Sequence, residues 1–95
     1  MKTVTVQIGN SDDKLTQNEW SDFVNKIDRA IQLAKARVHF MGGSYNDAQW
    51  QNFCWVFQLP EDNRETGSLF QHLKLIRKDF KQDSLAWTEG ETLFV

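Results

Sequence analysis

The chain has 95 residues, 11 Lys+Arg against 13 Asp+Glu, a formal net charge of -2, one Cys and one Pro, which bounds it to a single domain with a modest core. A hydrophobic fraction of 40% with 13% aromatics is too rich for a disordered chain, and no apolar run approaches the roughly 20 residues a bilayer span needs. The mild acidity argues against nonspecific binding to nucleic acid or an anionic membrane, and the lone Cys54 suits a reducing cytosol.

Residues 3–8 alternate, with Val4, Val6 and Ile8 on one side and Thr3, Thr5 and Gln7 on the other. That period reads as a half-buried strand, not as the apolar block of a signal peptide. The turn residues from Gly9 to Asp13 end it. Thr16 and Glu19 then have capping-box spacing, and Leu15 and Trp20 can form a hydrophobic staple. Trp20, Phe23, Val24, Ile27, Ala30, Ile31 and Ala34 fall on one helical stripe, which predicts a helix from about Gln17 to about Lys35.

Arg37 to Met41 reads as a second strand with Val38 and Phe40 on one face and His39 on the other, ended by a turn from Gly42 to Asp47. Phe53 to Leu59 is apolar on both faces, as in a covered central strand. Pro60 stops it, and Glu61 to Gly67 is a polar loop. Ser68 and Gln71 form a second capping box, opening a helix to about Phe80 with Leu69, Leu73, Ile76 and Phe80 as its buried stripe. Ser84 to Thr88 is a last strand. A turn or bulge is expected at Glu89-Gly90, with Leu93 and Val95 in a short extra strand.

The order β-α-β-β-α-β predicts an α+β, ferredoxin-like sandwich: a four-stranded antiparallel sheet with two helices on one face. Phe53, Trp55 and Phe57 belong inside, since an aromatic core is their ordinary role, although a one-residue slip would turn them out. The open face would then carry Thr3, Thr5, Gln7, His39, Cys54, Val56, Ala86 and Thr88.

This topology gathers three polar segments at one end, 10–15, 42–52 and 81–84. The rim so formed offers Asn10, Ser11, Asp12, Asp13, Lys14, Asn46, Asp47, Trp50, Asn52, Gln82 and Asp83 as candidate binding residues. Loop polarity alone is also explained by solvation and Asx-turns. Trp50 among amides reads as an anchor for a partner, or as a plug that closes the sandwich. Asp12, Asp13, Asp47 and Asp83 could offer oxygens to a hard cation, but their spacing matches no metal loop. His39 and His72 have no partner at ligand spacing, and Cys54 sits among aromatics where a reactive thiol is not expected. No nucleophile triad or phosphate loop stands out, and no cofactor is implied.

Two resemblances add to this. Phe53-Cys54-Trp55-Val56-Phe57 and Val6-Gln7-Ile8-Gly9-Asn10 resemble the paired motifs of RNA-recognition domains, which implies single-stranded nucleic-acid binding on the open sheet face. The chain departs from that pattern at Gln7, in place of a stacking aromatic, and at Gln51-Asn52, in place of a basic-Gly pair. The second is carried by residues 8–15, Glu19-Trp20, His39-Phe40, Trp50-Gln51-Asn52 and 82–91, which resemble small phage and bacterial proteins to which no activity attaches. It implies an accessory or host-interaction protein, and an inhibitor of a defence component fits the size.

The chain thus reads as a cytosolic binding module rather than an enzyme, taking a protein partner or a small polar ligand at the rim. Self-association through the open sheet face is a further expectation. The alternatives are nucleic-acid binding on that face and a small metal-assisted enzyme built on the rim acids.

Overall fold

A computed structural model describes residues 2–10, 14–44, 51–60 and 63–95, with backbone only at 63–65. The elements are β1 (Lys2–Gly9), α1 (Gln17–Leu33), β2 (Arg37–Gly43), β3 (Asn52–Gln58), α2 (Asn63–Asp79) and β4 (Ala86–Glu91). The strands form one antiparallel sheet in the order β2-β3-β1-β4, the ferredoxin-like arrangement predicted by the element order.

Register settles which residues face the helices. Val4, Val6 and Ile8 pair with Phe57, Trp55 and Phe53, so the strand-three aromatics share the buried side of β1. Trp55 and Phe57 are fully buried, together with Phe23, Ile27 and Ile31 of α1 and Leu69, Leu73 and Ile76 of α2. Trp55 also donates its indole N–H to Asp28 Oδ1 of α1 at 3.1 Å, which satisfies the one polar atom of a core tryptophan. Phe23 stacks on Phe80 at 5.0 Å and ties the two helices together.

The α1 start follows the sequence closely. Thr16 Oγ1 accepts the Glu19 N–H, and Glu19 Oε1 accepts the Thr16 N–H at 3.0 Å, a complete capping box. Leu15 and Trp20 are both buried, as a staple requires. Both helices end in Schellman motifs. In α1 the N–H groups of Lys35 and Ala36 reach Gln32 O and Ile31 O, and in α2 those of Lys81 and Gln82 reach Lys78 O and Arg77 O. The left-handed position is a lysine in each case, Lys35 at φ 59° and Lys81 at φ 56°.

Four expectations are corrected. First, Val38 and Phe40 do not share a face. The register shifts between them, so Val38 pairs with Phe57 on the helix side while Phe40 pairs with Val56 on the open side. The extra residue, His39, is a β-bulge that breaks strict alternation.

Second, β2 continues through Gly42 and Gly43 instead of turning there. A Cβ on Gly43 would lie 2.1 Å from the Asn52 carbonyl oxygen, so only glycine lets the two strands approach this closely.

Third, α2 begins at Asn63, upstream of the Ser68 box. Gly67 has open space around it, and a glycine in an exposed helical turn costs about 1 kcal/mol without stopping the helix.

Fourth, β4 runs unbroken through Glu89 and Gly90, paired with β1 from Gln7↔Ala86 to Lys2↔Glu91, and residues 92–95 form no strand. Glu89 is tolerated because β4 is an edge strand. Its carboxylate accepts the Trp87 indole N–H at 3.0 Å and pairs with Lys2 at 3.5 Å.

The open face carries Thr3, Thr5, Gln7, Cys54, Val56, Ala86 and Thr88 as expected, with Phe40 added to it. Cys54 is half-buried there.

Candidate functional site

The described parts of the three polar segments meet at one end, and buried amides join the first two. Asn10 is 1% exposed and Gln51 is 2% exposed. The Asn10 N–H donates to Gln51 O at 2.8 Å, and its Nδ2 donates to Gln51 Oε1 at 3.2 Å and to Leu15 O at 3.1 Å. Asn10 Oδ1 accepts the Leu15 N–H at 3.1 Å. One side chain thus closes the 10–15 connection and fastens it to β3.

Gln51 continues the network into α1. Its Nε2 donates to Gln17 Oε1 at 2.8 Å, and Gln17 Nε2 donates back to Gln51 Oε1 at 3.2 Å. Facing amides of this kind satisfy donor and acceptor together, which a buried polar side chain needs. On the hairpin, the Asn52 N–H donates to Ser44 Oγ and the Ser44 N–H to Asn52 O, both at 3.0 Å.

Beside this network lies a groove between the first half of α1 and the ends of β2 and β3, enclosing about 310 Å³. Gln17, Ser21, Asn25, Ser44 and Asn52 supply its polar wall, and Trp20 and Phe53 supply apolar surface. None of the described residues that line it is ionisable. It offers amide donors and acceptors, hydroxyls and aromatic faces.

The other side of the same end is charged. Lys14 Nζ pairs with Asp83 Oδ2 at 3.5 Å, which brings segments 10–15 and 81–84 together. Gln82 is buried, donating to Phe80 O at 3.2 Å, while its own carbonyl accepts from Arg77 Nη1 at 2.8 Å. Glu19 is held below the usual glutamate value by the Thr16 backbone N–H, then by the Thr16 hydroxyl, with Lys81 adding a smaller attraction.

The predicted binding residues therefore divide. Asn10 and Gln82 are buried and occupied by backbone partners, so they build the end rather than face a ligand. Lys14, Asn52 and Asp83 are exposed. Ser11, Asp12, Asp13, Asn46, Asp47 and Trp50 lie outside the described residues. Among the described residues no three His, Cys, Asp or Glu gather as a metal site, and no helix is long and apolar enough to cross a membrane. Sequence reasoning missed Gln17, Ser21 and Asn25. Their 17, 21, 25 spacing on the polar face of α1 was the available signal.

Fold and site together define a ferredoxin-like α+β domain with a neutral polar groove at one end. No protein-family model matches the chain, and no curated protein matches it. Solved structures do match in fold. The C-terminal domain of the MgtC protein from Mycobacterium tuberculosis aligns with a TM-score of 0.57 at 9% identity, over 96% of this chain and 89% of that one. A formyltetrahydrofolate deformylase from Pseudomonas putida KT2440 aligns at 0.55 and 14% identity over 96% of this chain, which spans only 28% of that enzyme's length. A phage SAM lyase in complex with S-methyl-5'-thioadenosine aligns at 0.52 and 18% identity, over 95% of this chain and 80% of that one. At these identities the likeness is one of fold.

Proposed function

We propose that this chain is a binding module of accessory type that holds a small, uncharged polar molecule of nucleoside size in the groove between α1 and the β2–β3 hairpin. The observation that carries the reading is the lining itself: Gln17, Ser21, Asn25, Ser44 and Asn52 beside Trp20 and Phe53, with no ionisable side chain among the described residues. Paired amides recognise the edge of a planar heterocycle, and aromatic surface takes its face. A volume of about 310 Å³ suits a ligand of that size. Among the described residues no acid or base lines the groove to activate the Ser21 or Ser44 hydroxyl, which favours binding over proton transfer.

Two facts lend support. The end is preorganised by the Asn10–Gln51–Gln17 network, so little ordering cost accompanies ligand entry. A phage protein of the same fold was solved with S-methyl-5'-thioadenosine, a neutral nucleoside thioether. The accessory, phage-type reading draws on that likeness and on the size of the chain.

The nucleic-acid alternative loses its stacking platform, because Phe53, Trp55 and Phe57 turn towards the helices. Of the acids on which the metal-assisted alternative rests, Asp83 pairs with Lys14.

Calorimetric titration with adenosine and S-methyl-5'-thioadenosine, and with S-adenosylmethionine as the charged comparison, tests the reading. Binding of at least one of the two neutral nucleosides, weakened about tenfold or more by Asn25→Ala with an unchanged melting temperature, is the expected result. Equal binding by parent and variant moves the site elsewhere. No binding at millimolar ligand refutes the ligand class, and turnover of S-adenosylmethionine replaces a binding module with an enzyme.

A further inference from the structure

We propose that two copies of this chain pair through their β4 edges and exchange the segment 92–95, so that Leu93 of each copy seats beside Trp87 at the α2–β4 groove of the other and Phe94 lies over its Ala86 on the open side.

The inference begins with two features that fit each other but stand apart within one chain. Leu93 and Phe94, directly after β4, are 81% and 82% exposed. Consecutive large apolar side chains left in water in this way mark a contact surface. The second feature is a groove of about 260 Å³ between α2 and the start of β4, lined by Phe70, Leu73, Leu85 and Trp87 and edged by Lys74 and Arg77. Phe70 meets the Trp87 ring edge-on at 5.4 Å, so its aromatic wall is already built.

Within one chain the tail reaches no further than the near lip of the groove. At the rise of an extended strand, Trp87 and Glu91 lie about 13 Å apart, and a chain folding straight back from Glu91 covers about 10 Å by Phe94, which leaves Leu73 and Leu85 beyond it. Thr92 is moreover held by a hydroxyl hydrogen bond to Thr3 of β1.

A second copy removes the obstacle. β4 is an edge strand, regular along its whole paired length, and no bulge or proline protects it. The other edge, β2, carries the bulge at His39. Antiparallel pairing of two β4 strands about a two-fold axis puts the end of each beside the start of the other. Centred on Gly90, it sets Leu93 opposite Trp87 and Phe94 opposite Ala86, large against small on the open side. Gly90 has open space around it. Glu89 comes opposite Glu91 of the other copy in this register, and Lys2, 3.5 Å from Glu89, offsets that repulsion. One strand pair and two apolar side chains per copy make a small interface, so the dimer should be of about micromolar affinity.

Sedimentation velocity of the full chain, from about 5 to about 500 µM, tests the exchange. The parent should pass from monomer to dimer with rising concentration. Leu93→Asp/Phe94→Asp should remain monomeric with the parent's melting temperature, and Phe40→Lys, on the open sheet face, should dimerise like the parent. Should the double variant fail to fold, Ala86→Arg on the exposed edge strand should give the same monomer with the tail intact. A parent that stays monomeric throughout overturns the proposal. So does a dimer that survives both the tail and edge substitutions, or one abolished by Phe40→Lys.

Discussion

Asn10 and Gln51 fasten the end of β1 to the start of β3 through two hydrogen bonds, one from the Asn10 backbone N–H to Gln51 O at 2.8 Å and one between the side chains at 3.2 Å. Two further residues are positioned from this pair. Leu15 is bonded to Asn10 and leads into the α1 cap, while Gln51 holds Gln17 on the wall of the groove.

Asn10→Ala should therefore be costly although it removes only a few atoms. It leaves the Leu15 N–H and the Leu15 carbonyl short of a partner in a buried place, at about 1–3 kcal/mol for such a group, and removes one of the bonds to Gln51 Oε1. Urea unfolding should show a loss of about 2–3 kcal/mol at an unchanged slope. A loss below about 0.5 kcal/mol would mean that water replaces these bonds freely.

The bond from Trp55 to Asp28 makes a second case. Asp28→Ala orphans a buried indole N–H and should cost about 1–2 kcal/mol, whereas Asp28→Asn keeps an acceptor and should cost less. Chemical unfolding of both variants measures the gap, and equal costs would show that the bond contributes nothing.

The α1 cap gives the chain a specific acid response. Glu19 titrates below the usual glutamate value of 4.5 because the folded state donates Thr16 hydrogen bonds to its carboxylate. A depressed folded value means that the stabilisation is present above about 4.5 and is lost as pH falls through the lower folded value. Glu19→Gln should thus be less stable than the parent at pH 7, and the difference should shrink as pH falls below about 4.5. A difference that persists into acid would show that charge at Glu19 is irrelevant to the cap.

Lys81 occupies a left-handed position that suits glycine, at φ 56°. Lys81→Gly should raise stability by up to about 1 kcal/mol, the relief of Cβ strain exceeding the extra entropy of the unfolded chain. On a chain of this size that corresponds to a rise of about 4–8 °C in melting temperature, readable by circular dichroism. A fall instead would show that the lysine side chain makes a compensating contact.

The layering of the fold was legible because burial and period coincide. Val4, Val6 and Ile8 alternate, Trp20 to Ile31 recurs at helical spacing, and both patterns describe a side chain's own surroundings. The bulge at His39 was not legible, since it arises from how β2 meets β3 and leaves no local composition mark. The Ser68-Gln71 spacing misled for the opposite reason. It is a local signal lying inside a helix that had already begun at Asn63. At the polar end, sequence gathered the right segments but could not separate amides that build from amides that face solvent. Asn10 and Asn52 are the same residue type in similar polar runs, yet one is buried in three side-chain bonds and the other is exposed. Only the approach of Leu15 and Gln51 makes that distinction.

The central claim is that the neutral groove beside this network is the binding site. A 1H–15N titration of the full chain with S-methyl-5'-thioadenosine tests it most directly. The account predicts that shifts concentrate on Gln17, Ser21, Asn25, Ser44 and Asn52. Shifts confined to the open sheet face around Phe40 and Val56, or no shifts at millimolar ligand, would contradict it.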